Sequence, residues 1–131
     1  MPVHYHIDAE RRLVTVKFDG QLRAHDIVGY LERLKADPAF DSEFAELADL
    51  TGVTNADVDF QAAMTIARDK DPFSPKAMRA FVVPTTETLE KVRMYQMARG
   101  NDGSITVFPT TEEARRWLGL GKPVAKEEVD G

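Results

Sequence analysis

The sequence predicts one α/β domain in which a mixed sheet of five strands packs with four helices, mainly on one face, in the order ββαβαβαβα. Two N-terminal segments alternate between apolar and polar residues, as half-buried strands do. Later apolar runs alternate with segments of helical periodicity, which favours right-handed crossovers between parallel strands. The chain has 131 residues, a length typical of a single domain with its own core.

The first two strands are predicted to form an antiparallel hairpin. Apolar and polar residues alternate over residues 3–8 and again over residues 12–19. Only residues 9–11 separate the two segments, so the connection is short enough for a hairpin. Asp19-Gly20 is a turn signal and is predicted to end the second strand.

The remaining elements follow from helical spacing, capping residues and short apolar runs. Thr110 and Glu113 form the pattern of a capping box, which predicts the start of the last helix, and Gly119 is predicted to end it. The predicted domain covers residues 1–119, and residues 120–131 are predicted to be a disordered tail. The other predicted helices cover residues 24–36, 59–70 and 87–99, and the other strands cover residues 44–50, 80–83 and 104–108.

The composition argues against several classes of protein. There are no cysteines, which excludes thiol catalysis, disulfides and cysteine-bearing zinc sites. The net charge of -5 argues against nucleic-acid binding. No apolar run reaches the roughly 20 residues that span a bilayer, and the N-terminus lacks the pattern of a signal peptide. We therefore expect a cytoplasmic protein with no membrane insertion.

The segment Asp49-Leu50-Thr51-Gly52-Val53 is predicted to end the third strand in an acidic turn. This segment and the element order resemble the STAS/SpoIIAA-like domain family, and the stretch from Phe108 to Leu118 resembles the ending of its small stand-alone bacterial members. The resemblance covers about residues 3–119. It implies a SpoIIAA-like fold, related to Sec14-like folds, and a regulatory role.

In phosphorylated members of that family, a serine at the start of the second helix accepts phosphate. Asp59 occupies that place here, two residues after Asp57. Since aspartate cannot accept phosphate from a serine kinase, the resemblance implies a regulatory loop without the phosphorylatable serine. Two alternatives remain for these acidic residues: with Asp49 they bind magnesium, or one of them caps the second helix. Aspartate is common at helix starts, so the cap is the favoured interpretation.

No catalytic arrangement is evident from the sequence, and we expect no enzymatic activity. His4 and His6 share one strand face and are spaced to chelate a metal, but a third ligand is not obvious, so a polar strand face is favoured. We expect neither a cofactor nor a metal. The leading hypothesis is a protein-interaction or regulatory module that binds an unknown protein partner through Asp49, Thr51, Asp57 and Asp59.

A set of methionine and aromatic residues on the second and third helices allows a second hypothesis. Methionine fills irregular gaps and suits adaptable binding surfaces. The set fits plain core packing, a homodimer face, or an apolar pocket that would make the protein a carrier or sensor of a small apolar or lipid-like ligand. Its members are Phe60, Met64, Met94, Tyr95 and Met97.

Overall fold

A computed structural model of the chain describes residues 3–100 and 103–120. The predicted order of strands and helices is confirmed. The strands are β1 (Val3–Asp8), β2 (Leu13–Arg23), β3 (Ala45–Asp57), β4 (Arg79–Val82) and β5 (Ile105–Phe108). The helices are α1 (Ala24–Ala36), α2 (Phe60–Thr65), α3 (Thr86–Ala98) and α4 (Thr111–Trp117). Of the predicted tail, residues 121–131 lie outside the described residues.

All five strands form one mixed sheet in the order β1-β2-β3-β4-β5. β1 runs antiparallel to β2, as the hairpin prediction requires. The pairs β2–β3, β3–β4 and β4–β5 are parallel, so each of these connections is a crossover through a helix. β3 is therefore the central strand of the sheet.

The two faces of the sheet are covered unequally. On the first face, α1, α2 and α3 pack over alternate strand residues such as Val14, Val16 and Ala48. On the second face, Ala114 and Trp117 of α4 pack over a smaller apolar group. Successive residues of a strand point to opposite faces, which is why neighbouring residues of β2 belong to different clusters. Three of the four helices thus share one face, as predicted. The strand residues beneath α4 are Leu13, Leu47, Ala80, Val82 and Phe108.

The predicted ends of β2 and β3 are wrong. β2 continues past Asp19-Gly20 to Arg23, and β3 continues past Leu50 to Asp57. The two extensions pair with each other, because residues 19–23 lie beside residues 52–57 in the parallel ladder. The segment that was predicted to be an acidic turn is therefore part of a strand.

Two glycines explain how these strands pass through a turn-like sequence. The register shifts where β2 and β3 meet around Asp19, which indicates a bulge. Gly20 has a φ of 71°, a conformation that glycine adopts without steric cost. On the neighbouring strand, opposite Asp19, a Cβ on Gly52 would lie 3.2 Å from the Phe18 carbonyl oxygen and would overlap the Asp19 carboxylate. Gly52 thus marks a close approach of the two strands and Gly20 a positive φ at the bulge, rather than the ends of the strands.

Two of the predicted helix caps are confirmed. Asp59 accepts a hydrogen bond of 2.8 Å from the Ala62 amide, so it caps α2. Thr110 accepts one of 3.2 Å from the Glu113 amide at the start of α4. Gly119 follows this helix with a φ of 79°, as expected of a helix end.

The second helix does not remain α-helical over its predicted length. After Thr65 the backbone continues as a π-helix, Ile66–Lys70. The Asp71 amide closes this turn by donating to the Ile66 carbonyl oxygen at 3.0 Å. Single π-turns of this kind often occur at functional sites. Across the described part of the chain, no helix is long and apolar enough to cross a membrane.

Candidate functional site

A pair of opposite charges lies inside the first face of the sheet. Glu46 of β3 and Arg79 of β4 are neighbours in the parallel ladder. The Arg79 Nε donates to Glu46 Oε1 at 2.8 Å, and its Nη1 donates to Asp71 Oδ2 at 2.6 Å. The exposed fractions are 2% for the Glu46 and Arg79 side chains and 0% for that of Asp71. Arg79 therefore joins two carboxylates that water does not reach.

Two tyrosines and a second arginine complete this group. The Tyr30 hydroxyl donates to Glu46 Oε2 at 2.6 Å, and the Tyr95 hydroxyl donates to Asp71 Oδ2. Arg99 Nη1 lies 3.1 Å from Asp71 Oδ2. Two guanidinium groups thus face two carboxylates, and their formal charges cancel. We call this group the buried charge network; its members are Tyr30, Glu46, Asp71, Arg79, Tyr95 and Arg99.

The ionisation of the network is fixed by burial and by its carboxylates. Burial alone would lower the pKa of Arg79, but Glu46, Tyr95 and Asp71 together outweigh it, so the pKa lies well above the ordinary value. Burial, reinforced by the negative charge of Glu46, raises the pKa of Tyr30 well above its ordinary value. Burial also raises the pKa of Tyr95. At neutral pH both hydroxyls therefore remain protonated and act as hydrogen-bond donors.

Aromatic rings surround the Arg79 guanidinium. Its central carbon lies 4.3 Å from the centroid of the Phe73 ring and 5.7 Å from those of Phe81 and Tyr95. Such cation–π contacts gain strength where water is excluded. With the hydrogen bonds, they hold Arg79 in one position.

An apolar cavity lies beside the network, between the first face and the three helices that cover it. Its volume is about 80 Å³, and it is open to solvent on one side. The aliphatic lining comes from all three helices and from β2 and β3, and Tyr30, Glu46, Arg79 and Tyr95 of the network also contribute. The polar residues added by α3 are Thr88 and Lys91. Representative aliphatic lining residues are Leu22, Ile27, Leu50, Val58, Ala63 and Ile66.

The four acidic and hydroxyl residues predicted from the sequence do not form one loop. Asp49 and Thr51 lie within β3, where the Thr51 amide and hydroxyl donate to Asp49 Oδ1 at 2.8 and 2.7 Å. Asp57 is the exposed last residue of β3, and Asp59 is occupied as the cap of α2. Within residues 3–100 and 103–120, no group of three or more ligating side chains is arranged to hold a metal ion.

Asp49 belongs to the second face and forms a small polar group there. Its Oδ2 lies 3.6 Å from Lys17 Nζ on the neighbouring strand. Partial burial acts to raise the pKa of Asp49, but the two Thr51 hydrogen bonds and the Lys17 charge outweigh it, so the pKa lies below the ordinary value. This carboxylate is ionised at neutral pH.

The predicted methionine and aromatic set is dispersed. Tyr95 lines the cavity and bonds to Asp71. Met64 and Met94 are half-buried outside the cavity lining. Phe60 is 53% exposed and Met97 is 66% exposed, so neither packs in the core. Of the five residues of this set, Tyr95 lines the cavity and the other four do not.

Sequence analysis missed the charged residues at the centre of the site. A signal was present: Glu46 interrupts the apolar strand segment 44–50, and Arg79 directly precedes the apolar run 80–83. Opposite charges that interrupt two adjacent buried strands are expected to pair, because an isolated buried charge is costly. Asp71 and Arg99 lie in a loop and at a helix end, and no pattern connects them.

The chain was compared with protein-family models and with curated proteins. No family model matches it, and no similar curated protein was found. The resemblance to STAS/SpoIIAA-like domains therefore stays a prediction from the sequence.

Proposed function

We propose that the protein is a non-enzymatic binding domain that carries or senses a small molecule with a mainly apolar body. The cavity beneath α1, α2 and α3 supports this proposal. Protein interiors are usually packed without voids larger than a water molecule. The lining of this cavity is mainly apolar with a few polar groups, which is the usual composition of pockets that bind small ligands.

The buried charge network supports a binding role rather than a reactive one. Glu46 uses both carboxylate oxygens, one for Tyr30 and one for Arg79. Arg79 is held in turn by Asp71. A carboxylate held in this way is poorly suited to accept a proton from a substrate, since general-base catalysis needs a free acceptor within reach. In this proposal the network holds the cavity wall rigid, so that the pocket exists before the ligand arrives.

The test of this proposal is to fill the cavity. Ala63 lines it from α2, so Ala63→Leu should occupy part of the space. We expect the unsubstituted protein to bind the neutral dye Nile red with increased fluorescence, and Ala63→Leu to bind it at least about tenfold more weakly because aliphatic surface and volume are lost. Ala36→Leu, at the exposed end of α1, is the matched control.

A native mass spectrum of the protein purified from its host provides a second readout. A small mass that is retained in the native state and released on denaturation would identify the class of ligand. Absence of dye binding together with absence of a retained mass would contradict the proposal. Thermal unfolding of each variant establishes that lost binding does not result from lost folding.

A protein-interaction role is the second candidate, and one observation favours it. The side chain of Phe60 is 53% exposed and follows directly after the exposed Asp57 and Asp59. An exposed aromatic residue beside acidic groups suits a partner surface, including that of a homodimer. Asp57→Lys and Phe60→Ser should weaken such a complex in a pull-down or in sedimentation. Asp59→Ser removes charge but keeps the helix cap, so it separates recognition from stability.

A further inference from the structure

We infer that the ligand of the cavity is an apolar carboxylic acid, bound as its anion, with its carboxylate held by the ammonium group of Lys91. This inference rests on the proposed binding function. Lys91 lies on α3 and lines the cavity beside Thr88 and Val92. It is half-buried, and lysines at such positions pack their aliphatic stem on apolar surface while the charged end stays accessible to water.

Lys91 is the lining cation that is available to a ligand. No hydrogen bond or ion pair joins it to another residue in the part of the chain that the structure describes. Glu87 lies one helical turn before it, at the spacing that permits an ion pair, but none forms. Arg79, by contrast, is occupied by Glu46 and Asp71. The cavity therefore contributes one uncompensated positive charge.

One positive charge at the edge of an apolar space selects the charge of a ligand. Electrostatic attraction is stronger beside low-dielectric walls than in water, so an anionic group at Lys91 is favoured and a cationic one is repelled. The other two charged residues of the lining, Glu46 and Arg79, are 2.8 Å apart and neutralise each other. The expected ligand thus has a single negative charge.

The donor set favours a carboxylate over a phosphate. A phosphate monoester presents three acceptor oxygens and up to two charges, and proteins usually bind it with arginine forks or with several backbone amides. Here the donors are one lysine ammonium group and one hydroxyl, because Thr88 accepts from the Thr85 hydroxyl at 3.0 Å and can still donate its own proton. The aliphatic residues that line the rest of the cavity suit the hydrocarbon part of the acid.

Calorimetric titration with matched amphiphiles tests this assignment. The probes are dodecanoate and dodecyl phosphate, each below its micelle-forming concentration, and dodecanol below its solubility limit. We expect dodecanoate to bind most tightly. Lys91→Met keeps the stem but removes the charge, and it should weaken dodecanoate binding about tenfold, the size of one charge-assisted hydrogen bond. Dodecanol binding should not change, and Lys91→Arg should keep most of the affinity for dodecanoate.

Lys35→Met, at an exposed position of α1, is the matched control and should bind all three probes like the unsubstituted protein. Equal effects of Lys91→Met on dodecanoate and dodecanol, or no effect on either, would overturn the role of Lys91 but leave the cavity as a binding site. Preference for dodecyl phosphate would overturn the carboxylate class. Failure of all three probes and of Nile red to bind would contradict the proposed function itself.

Discussion

The two faces of the sheet differ in what satisfies their polar side chains. On the first face, under three helices, four charged side chains and two tyrosines are enclosed and paired with one another. On the second face, α4 covers one part with apolar residues such as Ala114 and Trp117. The remainder of that face carries polar side chains open to solvent, among them His4, His6, Lys17 and Asp49.

The comparison shows when a polar group in this fold needs a partner. Water can replace the partner of Asp49 or Lys17, because both remain partly exposed. It cannot replace the partners of Glu46, Asp71 or Arg79, whose side chains are at most 2% exposed. Substitutions on the first face should therefore be more damaging than substitutions on the second, and their effects should follow the number of buried partners that are lost.

The largest effect is expected from Arg79→Met. It leaves two carboxylates, Glu46 and Asp71, buried without their main partner, and breaking a buried pair costs about 3–5 kcal/mol of the free energy of unfolding. Urea unfolding measures this. Arg93→Met, at an exposed position of the neighbouring helix, is the control and should change stability by no more than about 0.5 kcal/mol. If the two variants were equally stable, the network would not be isolated from water.

The second-largest loss of stability is expected from Tyr30→Phe, and Tyr30 also makes stability depend on alkaline pH. Tyr30→Phe removes the donor to Glu46 Oε2 and should cost about 1–3 kcal/mol at neutral pH. In the unfolded chain tyrosine loses its proton near pH 10, whereas the folded-state pKa of Tyr30 is raised well above that value. The native state thus keeps a proton that the unfolded state releases, and stability is lost as the pH rises above about 10.

Unfolding experiments between neutral and strongly alkaline pH measure this dependence. Each such tyrosine contributes a slope of at most about 1.4 kcal/mol per pH unit. Tyr30→Phe should show a shallower alkaline decline than the unsubstituted protein. Parallel curves for the two proteins would mean that Tyr30 titrates normally in the folded state.

A smaller effect is expected on the covered part of the second face. Trp117 is half-buried and lies with its ring centroid 5.5 Å from that of Phe108. Trp117→Ala should cost about 1–2 kcal/mol, less than the 3–5 kcal/mol of a fully buried tryptophan. Arg116→Ala, at an exposed position beside it, should be nearly neutral. A loss as large as that of Arg79→Met would show that α4 contributes as much as the network.

The smallest effect is expected at Asp49 on the open part of the second face. Asp49→Asn removes the charge opposite Lys17, and an exposed pair of this kind contributes less than about 1 kcal/mol. Because the folded-state pKa of Asp49 is lowered, its contribution is present above the ordinary aspartate pKa and is lost as the pH falls through the folded value. The stability difference between the two proteins should therefore vanish in acid, and a difference that persists there would contradict this account.

Local patterns were sufficient to predict much of the fold. Alternation located β1 and its pairing with β2, and apolar spacing located α1 at the observed residues 24–36. The same local analysis failed at Gly20 and Gly52. Each glycine alone resembles a turn, and only the pairing of β2 with β3, two strands distant in the sequence, reveals a bulge.

The site was less predictable than the fold for the same reason. Glu46 and Arg79 are separated by 33 positions in the sequence and meet only through the register of β3 and β4. A cavity is harder still to predict, since it depends on the space that many side chains leave unfilled. The sequence suggested an apolar site through its methionines, but in the structure the lining is mostly aliphatic and aromatic.

Because a π-helix follows α2, the number of residues between α2 and Asp71 is important for the position of Asp71. Because the Asp71 amide bonds to the residue five positions earlier, one more residue is accommodated than an α-helical turn allows. Deleting any one residue of 66–70 would restore α-helical hydrogen bonding and rotate Asp71 by about 100° around the helix axis, away from Arg79. Exposed positions such as Arg68 and Asp69 can change identity freely, whereas a single-codon deletion among them would disconnect the helix from the buried network. Insertions and deletions, rather than substitutions, are the changes to which this segment is most vulnerable.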